Sequence, residues 1–261
     1  MCTTLHNGDC LIEMKKINDK SIDCIFADLP YGLTKNVWDI PIDIDKLWIE
    51  FKRIIKERGI IIFTAVEPFT SHIVNSQIKM FKYDIIWQKT IPSGQLNVKT
   101  RPLKIHENIL IFYNKTPVYN EQMTQGKPYK VKRKIDQNKK NNYGNQKDTE
   151  IVNDGYRHPN SVLNISNPRI KNGHPTQKPI ELMEWLIKTY TNEDFTVLDP
   201  CMGSGTTGVA CKKLNRKFIG IEKEKKYYQI AKKRILSTEQ LSESYLETIP
   251  NKRKEKRVPF G

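Results

Sequence analysis

Hydrophobic positions in the first 113 residues follow two periods. Ser21–Leu29 is a short apolar run that ends in a polar turn, and Gly59–Ala65 is a continuous β-branched run, typical of a strand buried on both faces. Between them, Ile44–Glu57 carries apolar residues at helical spacing. Tyr83–Gln88 and Asn108–Tyr113 are further candidate strands. The pattern predicts strands that alternate with helices.

The same alternation resumes near the C-terminus. A helix is predicted over residues 179–190, because proline is favoured in a first turn and apolar residues follow at helical spacing. Thr196–Leu198 and Phe218–Glu222 are then predicted strands, and each is followed by a predicted helix, ending near Leu214 and Leu236. Strands that alternate with helices indicate a parallel α/β sheet, to which both halves of the chain contribute.

The segment between these halves has a different character. Over residues 114–172 the apolar periodicity fades, and 12 basic against 5 acidic residues give a net charge of +7. This composition predicts a loop-rich insertion. We therefore divide the chain into one folded domain made of residues 1–113 and 173–236, the insertion at 114–172, and a charged tail at 237–261.

Charge and cysteine usage narrow the classes of protein. The 44 Lys and Arg residues against 29 Asp and Glu give +15, which favours a polyanionic partner; a solubilising basic surface is the alternative. No apolar run approaches the roughly 20 residues that span a bilayer, and no secretory signal is visible, so we expect a cytoplasmic protein with no membrane segment. The five cysteines include no CxxC pair, which indicates reduced thiols and no metal site.

A glycine-rich turn follows the predicted strand at 196–198. Residues 199–208 read Asp-Pro-Cys-Met-Gly-Ser-Gly-Thr-Thr-Gly, and 203–208 match the GxGxxG pattern of nucleotide-binding turns. Glycines permit a tight turn and a close approach of the backbone to a ligand. Glu222, at the end of the next predicted strand, can accept hydrogen bonds from ribose hydroxyls. Alone, this pattern fits a nicotinamide cofactor as well as S-adenosylmethionine, and a packing turn is the alternative.

A second polar turn, Asp28-Leu29-Pro30-Tyr31, ends the predicted strand at 21–29. Open α/β sheets bind ligands at this end of their strands. The Asp28 carboxylate and the Leu29 carbonyl can accept both hydrogens of an amino group and so free a nitrogen lone pair that is otherwise delocalised into a base. Pro30 stiffens the turn, and Tyr31 can stack on a base taken out of a duplex. A proline turn capped by Asp28 is the alternative.

The order of these motifs resembles that of a known family. The Asp28 turn comes first, the basic insertion second, His174-Pro-Thr-Gln-Lys-Pro179 third and the glycine-rich turn last, as in the permuted, beta-class amino-methyltransferases that act on DNA. The resemblance covers roughly residues 3–113 and 158–236. Shorter segments that also look similar are Asn7-Gly8-Asp9, Trp87-Gln88-Lys89, Arg101 and His106-Glu107-Asn108.

The resemblance implies a circularly permuted, Rossmann-like methyltransferase fold whose catalytic domain is 1–113 with 173–236. It implies methyl transfer from S-adenosylmethionine to N6 of a flipped adenine in double-stranded DNA, with Asp28, Leu29, Pro30 and Tyr31 as catalytic residues. The insertion is then the target-recognition region. The expected cofactor contacts are Asp9, Thr176, Lys178, Asp199, Pro200, Gly203, Ser204, Gly205, Thr206 and Glu222. The expected DNA contacts are Lys130, Lys132, Arg133, Lys134 and Arg157.

Several alternatives stay open. A cytosine-N4 enzyme shares the chemistry, although such enzymes often carry Ser at the position of Asp28. A nicotinamide-dependent oxidoreductase explains only the glycine-rich turn and Glu222, and a non-catalytic DNA-binding protein does not require the intact Asp28 turn. Cys201 stands where many family members carry Phe. The Pro200-Cys201 pair resembles the nucleophile of C5-cytosine enzymes but lies in the cofactor turn, so we expect no covalent role. A homodimer is also left open.

Overall fold

The computed structural model of the protein describes residues 2–32, 40–133, 149–167 and 177–239. The chain divides into two compact units. Of the described residues, the first unit contains those up to 120 and those from 160 onwards, and the second contains those between 121 and 159. Within the described ranges, no helix is both long enough and apolar enough to cross a membrane.

An eight-stranded sheet forms the centre of the first unit. Its strands are β1 (Thr3–Asn7), β2 (Ile22–Ala27), β3 (Ile55–Ala65), β4 (Phe81–Ser93), β5 (Lys104–Phe112), β10 (Val162–Asn164), β11 (Thr196–Asp199) and β12 (Lys217–Glu222). Their order across the sheet is β1-β12-β11-β2-β3-β5-β4-β10. Only the pairings of β5 with β3 and β4 are antiparallel. The fold is therefore a Rossmann-like α/β fold.

The direction of β5 corrects the prediction of a parallel sheet. Residues 94–103 join β4 to β5, and the only regular structure they contain is a 3₁₀ turn at Gln95–Asn97. A parallel return to the sheet needs a crossover of about a dozen residues or more, usually a helix. Because the connection is shorter than that, β5 runs back beside β4.

In the described parts of the chain, six α-helices cover the two faces of the sheet. They are α1 (Cys10–Glu13), α2 (Ile44–Ile54), α3 (Phe69–Ser76), α4 (Ile180–Tyr190), α5 (Thr206–Lys213) and α6 (Lys225–Ser237). The hydrophobic pattern does not predict β1, α1 or α3, which are five, four and eight residues long. Helix α2 ends three residues before the predicted Glu57, because Ile55 has an extended backbone and begins β3.

The hydrophobic core lies on both faces of the sheet. On one face, the aromatic rings of Trp48, Phe51 and Phe63 pack together with residues of α2 and α3. On the other face, α4, α5 and α6 pack over a second cluster that includes Ile60 and Ile62 of β3. Since alternate residues of β3 enter the two clusters, the prediction that this strand is buried on both faces is confirmed.

Within its described residues, the second unit contains two short antiparallel ribbons. In one ribbon β6 (Thr124–Gln125) pairs with β9 (Tyr156–Arg157), and in the other β7 (Tyr129–Arg133) pairs with β8 (Thr149–Asn153). Strand β10 also falls within the insertion predicted at 114–172, but it pairs in parallel with β4 and extends the large sheet of the first unit.

Candidate active site

Three neighbouring parallel strands bring polar residues to one edge of the large sheet. Strand β2 ends just before Asp28, β11 ends at Asp199, and β12 ends at Glu222. Because parallel strands end at the same edge, the two predicted turns lie side by side and line one cavity of about 420 Å³. The predicted site residues in its wall are Asp9, Asp28, Leu29, Pro30, Tyr31, Lys178, Asp199, Pro200, Gly203, Ser204, Thr206 and Glu222.

Asp28 accepts hydrogen bonds from three side chains in this wall. Thr64 Oγ1 donates to Oδ1 over 2.5 Å, and the Tyr31 hydroxyl donates to the same oxygen over 3.0 Å. Lys178 Nζ lies 2.9 Å from Oδ1 and 2.8 Å from Oδ2. Among the described residues Oδ2 therefore receives one donor where Oδ1 receives three. Since a carboxylate oxygen offers about two acceptor sites, Oδ2 keeps capacity for a further donor.

The groups around Asp28 keep their protons. Burial lowers the pKa of Lys178, but its attraction to the Asp28 and Glu107 carboxylates and its hydrogen bond to Asp28 outweigh burial and hold that pKa well above the usual value. Burial and the charge of Asp28 raise the pKa of Tyr31 above its usual range. Lys178 thus stays an ammonium and Tyr31 stays a neutral phenol, so both remain hydrogen-bond donors to the carboxylate.

Two glycines of the glycine-rich turn at 199–208 have different roles. Gly203 and Gly205 both have left-handed backbone conformations, with φ of +52° and +80°. A Cβ on Gly203 would meet no atom within 4 Å, whereas one on Gly205 would lie 2.9 Å from the Ala231 Cβ of α6. Gly203 therefore leaves the cavity wall open, while Gly205, which does not line the cavity, lets α5 and α6 pack closely.

Glu222 closes the glycine-rich turn from the neighbouring strand. Its Oε2 accepts a hydrogen bond from the Gly203 backbone N–H over 2.9 Å, and its Oε1 accepts one from the Glu224 N–H over 2.7 Å. Burial raises the pKa of Glu222, and these two backbone hydrogen bonds oppose the rise. The side chain is thus fixed at the cavity wall with part of its acceptor capacity already used.

Asp199 is more deeply buried than Glu222. Burial raises the pKa of Asp199 to about 7, although hydrogen bonds from the Thr207 side chain and the Cys201 N–H oppose the shift. The Cys201 N–H donates to Oδ1 over 3.1 Å. This carboxyl group therefore organises the start of the turn and changes its charge near neutral pH.

Two other predicted cofactor residues are held by nearby groups. Asp9 caps α1 by accepting a hydrogen bond from the Leu11 N–H over 3.0 Å. Ser204 donates to Gln177 Oε1 over 3.0 Å and accepts from Arg234 Nη1 over 2.9 Å. Ser204 thereby ties the glycine-rich turn both to the segment before α4 and to α6. Thr176 lies outside the described residues.

The predicted DNA contacts fall in the second unit. Lys130 and Lys132 are exposed on one face of β7, 2.9 Å and 3.9 Å from Glu150 of β8. Arg157 is engaged within the unit, because its guanidinium donates to Asn153 and to the Lys127 carbonyl and lies 4.7 Å from the Tyr129 ring centroid. Arg133 ends β7, and Lys134 lies outside the described residues.

Several residues of the cavity region escape prediction from sequence. Thr64 looks like any β-branched residue of β3, and only the fold brings its hydroxyl to Asp28. Gln177 and Cys10 line the cavity without a chemical signature of their own. Glu107, which resembles part of a family strand-end signature, lies 3.4 Å from Lys178. The signature indicates that Glu107 belongs to the site region, but it does not indicate which side chain Glu107 contacts.

Comparison with known proteins identifies the family to which the chain belongs. A family model described as DNA methylase, for N6 and N4 amino-methyltransferases, matches residues 22–233, which is most of the chain. The chain belongs to the DNA methylase family. This methylase is 30% identical over 259 residues to the type II methyltransferase M2.LlaDCHI of Lactococcus lactis subsp. cremoris, with 88% of each chain covered. It is also 30% identical over 269 residues to M.HinfI of Haemophilus influenzae, covering 89% of this chain and 68% of that protein.

Solved structures agree with the methylase fold. The complex of M1.HpyAVI with S-adenosylmethionine has 28% identity and a TM-score of 0.60, covering 89% of this chain and 99% of that one. The cytosine-N4-specific PvuII DNA methyltransferase has a TM-score of 0.65 and covers 95% of this chain and 91% of that one; its 17% identity supports the fold alone. S-adenosylmethionine is the methyl donor of the methylase.

The donors and acceptors of the cavity fit this cofactor. A carboxylate has about four acceptor sites, and the two backbone N–H groups on Glu222 use two of them. The remaining two suit a pair of ribose hydroxyls. The volume of about 420 Å³ lies within the usual range of roughly 300–1,000 Å³ for small-molecule sites. The Glu222 carboxylate is thus suited to accept hydrogen bonds from the ribose of S-adenosylmethionine, and the open space at Gly203 leaves room for the cofactor.

Proposed function

We propose that this methylase transfers a methyl group from S-adenosylmethionine to N6 of an adenine flipped out of double-stranded DNA. The observation that carries the proposal is the Asp28 carboxylate in the cavity wall, held by Thr64, Tyr31 and Lys178 and with acceptor capacity left on Oδ2. The cytosine-N4 members that the chain resembles often carry Ser at this position. A fixed carboxylate therefore favours adenine N6 as the target.

The residues of the Asp28 turn prepare the amino group. Asp28 Oδ2 accepts one amino hydrogen, and the Leu29 carbonyl accepts the other. These two hydrogen bonds direct the nitrogen lone pair away from the ring and towards the methyl group. Pro30 restricts the backbone between the two acceptors and the ring of Tyr31, which stacks on the extruded base. The contribution of the protein is thus mainly orientation and preorganised polarity.

The bonds that change are few. S-adenosylmethionine supplies an electrophilic methyl group on a positively charged sulfur. The amino nitrogen forms a bond to the methyl carbon, the carbon–sulfur bond breaks with its electrons left on sulfur, and the nitrogen then loses one proton to solvent. No covalent bond to the protein forms at any stage, so Asp28 and Leu29 act only through hydrogen bonds.

Product analysis tests this choice of target. The methylase is incubated with duplex DNA and S-adenosylmethionine labelled with tritium in the methyl group, and the DNA is digested to nucleosides. We expect the label in N6-methyldeoxyadenosine. Label in N4-methyldeoxycytidine would show a cytosine-N4 enzyme instead, and label in the C5-methyl product would contradict amino transfer altogether. Sequencing the methylated positions in a host that expresses the protein then identifies the target site.

The second unit supplies DNA affinity in this proposal. Lys130 and Lys132 lie side by side on the exposed face of β7, and Arg133 and Lys134 continue the basic run. Replacing these four residues with Ala is expected to weaken DNA binding and to flatten its dependence on salt. A variant that makes fewer phosphate contacts releases fewer counterions from the DNA when it binds. Binding isotherms at several salt concentrations measure both effects. An unchanged salt slope would place the phosphate contacts elsewhere.

The place of action and the assembly belong to the same proposal. The methylase acts on DNA in the cytoplasm, in agreement with its five cysteines, none of which forms a disulfide. The homodimer left open by the sequence is tested by sedimentation of the methylase with and without DNA. A species at the mass of one chain without DNA, and at the mass of one chain plus one duplex with DNA, excludes it.

A further inference from the structure

Four largely buried charged side chains form a continuous series of ion pairs that ends at the more exposed Asp28. Lys89 Nζ lies 3.1 Å from Glu107 Oε1, Glu107 Oε2 lies 3.4 Å from Lys178 Nζ, and Lys178 Nζ contacts both oxygens of Asp28. The side chains are 8%, 15%, 11% and 25% exposed in that order. Two ammonium and two carboxylate groups therefore alternate, and their formal charges cancel.

Different elements contribute each member of this series. Lys89 lies on β4, Glu107 on β5, Lys178 just before α4, and Asp28 directly after β2. In the register of the hairpin, Trp87 is opposite Glu107, which places Lys89 two residues further along β4. Burying charged groups costs several kcal/mol per ion, and apolar replacements of similar volume are often as stable. Stability alone therefore gives little reason for such an arrangement beside a reactive carboxylate.

Glu107 is the member with unused capacity. Its Oε2 is buried and makes no hydrogen bond to a described residue, although it lies 3.4 Å from the Lys178 ammonium. An ammonium has three protons, and Lys178 directs two hydrogen bonds to Asp28. Glu107 thus provides a second carboxylate 3.4 Å from the Lys178 ammonium, beside the one that Asp28 provides.

The charges on Lys178 and Glu107 should affect the rate of methyl transfer. As the nitrogen–carbon bond forms, one unit of positive charge moves from sulfur to the amino nitrogen held by Asp28. The Lys178 ammonium next to Asp28 repels that charge unless another carboxylate offsets it. In a weakly polar interior, one uncompensated charge near the reacting atoms has a large effect. Glu107 is placed to supply the offset.

We infer that Glu107 is a positioning residue for the transfer, which holds Lys178 against Asp28 and cancels its charge in the transition state. This inference rests on the proposed role of Asp28 as the acceptor of the target amino group. It does not depend on whether the target is adenine or cytosine, since both amino groups gain the same charge.

A charge-balance cycle tests the inference. Single-turnover methylation is measured with saturating cofactor and DNA for the parent, Glu107→Gln, Lys89→Met and the double variant. Glu107→Gln leaves a net positive charge in the series and is expected to lower the rate about 10- to 100-fold. The double variant restores neutrality and is expected to recover most of that loss. Glu107→Asp, which keeps the charge, is expected to stay closer to the parent than Glu107→Gln.

Controls separate this effect from a loss of packing. Glu184→Gln removes the carboxylate of another partly buried ion pair, 3.2 Å from Lys213 and outside the cavity wall, and is expected to leave the rate nearly unchanged. Calorimetry with S-adenosylmethionine shows that each variant is folded. If Glu107→Gln does not fold, the comparison of Glu107→Asp with the neutral double variant still tests the charge argument.

The outcomes are distinct. A double variant as slow as, or slower than, Glu107→Gln would overturn the inference. If the two substitutions only disturb packing, their effects on the rate add, whereas Lys89→Met removes the excess positive charge that Glu107→Gln leaves. Parent-like activity of Glu107→Gln would overturn it as well. Asp28→Ala is measured in the same series: if that variant is active, the proposed function itself fails, and if it alone is inactive, only the role of Glu107 fails.

Discussion

Two aspartates stand at the carboxyl ends of adjacent strands of this methylase and differ in burial and in their partners. Strands β2 and β11 pair in parallel, with Leu198 opposite Ile25, and Asp28 and Asp199 stand at their carboxyl ends. Asp28 is 25% exposed and lies against the Lys178 ammonium. Asp199 is 2% exposed, no described residue forms an ion pair with it, and burial raises its pKa to about 7.

The difference shows what topology determines and what it leaves open. The parallel sheet places an acidic residue at the same edge twice, and each residue begins a turn that lines the cavity. The neighbours then decide the chemistry. The Asp28 carboxylate accepts hydrogen bonds from an ammonium and two hydroxyls at the cavity wall, while the more deeply buried Asp199 accepts a backbone N–H and shapes a turn.

Removing Asp28 is expected to have the largest effect. Asp28→Ala deletes one of the two acceptors for the target amino group from a preorganised site, and such a loss typically costs about 2.7–4 kcal/mol in the transition state, roughly a hundred- to a thousandfold in rate. Asp28→Asn should lose less, because its amide oxygen still accepts. Single-turnover methylation with saturating cofactor and DNA is the measurement.

Cofactor affinity serves as the control for Asp28. If the residue acts on the amino group, its loss should change the dissociation constant of S-adenosylmethionine less than it changes the rate. An Asp28→Ala enzyme that methylates close to the parent rate would remove Asp28 from the catalytic turn and with it the contrast to Asp199.

Glu222 is expected to show the next largest effect, this time on the cofactor. Glu222→Ala removes the acceptors for the ribose hydroxyls and should weaken S-adenosylmethionine binding by about 1–3 kcal/mol, as for a lost hydrogen bond to a charged group. Calorimetry measures the change. Because Glu222 also holds the Gly203 and Glu224 N–H groups, Glu222→Gln is the matched variant that keeps the size of the side chain. Binding of NAD with no binding of S-adenosylmethionine would contradict the cofactor site.

Asp199 should appear in the pH dependence of stability. Its pKa rises from 3.8 to about 7 on folding, so between these values the folded state binds more protons than the unfolded state. Its contribution to the free energy of unfolding therefore falls as pH rises through this window and is level above it. Asp199→Asn removes the titration, so the stability of the variant relative to the parent should increase between about pH 5 and about pH 8. Urea unfolding at both values measures the difference, and a constant difference would contradict the shifted pKa.

Cys201 should give the smallest effect. A hydrogen bond with Cys10 and burial raise the pKa of Cys201 well above its usual value, so the thiolate needed for nucleophilic attack is scarce. Cys201→Ser should keep at least about a tenth of the parent turnover, since a neutral hydrogen bond is worth about 0.5–1.5 kcal/mol. Complete loss of activity in a folded variant that still binds the cofactor would reopen a C5-cytosine mechanism.

The regular elements of the fold could be predicted where the hydrophobic period is long enough. Strand β3 and helices α2 and α4 are recognisable because buried residues recur at the period of each element. The direction of β5 could not be read, because hydrophobic periodicity does not distinguish parallel from antiparallel strands. Strand β1 has only five residues and is the end strand of the sheet as far as the chain is described, so its hydrophobic pattern is too short to recognise.

The candidate site could be predicted only as separate motifs. The two turns can be recognised in the sequence because Asp, Pro and Gly residues directly follow apolar strands. Contacts between distant segments leave no such mark. The sequence predicts Lys178 at the cofactor, and Lys178 does line the cavity, but the sequence does not predict that its ammonium also contacts Asp28, 150 positions away. That pairing depends on where the segment before α4 crosses the sheet edge, which local sequence does not encode.

The pairing of β1 with β12 determines when the site can be completed during protein synthesis. The Gly8 N–H and the Asn7 amide both donate to the Glu222 carbonyl, over 3.1 Å and 2.8 Å, across a separation of 215 positions for Asn7. A ribosome releases the Asp28 turn early, but the cofactor wall remains open until Glu222 has emerged. Ligands that bind only the folded state stabilise it by mass action. S-adenosylmethionine can therefore stabilise only chains that already contain β12, and chains truncated before β12 gain no such protection from unfolding.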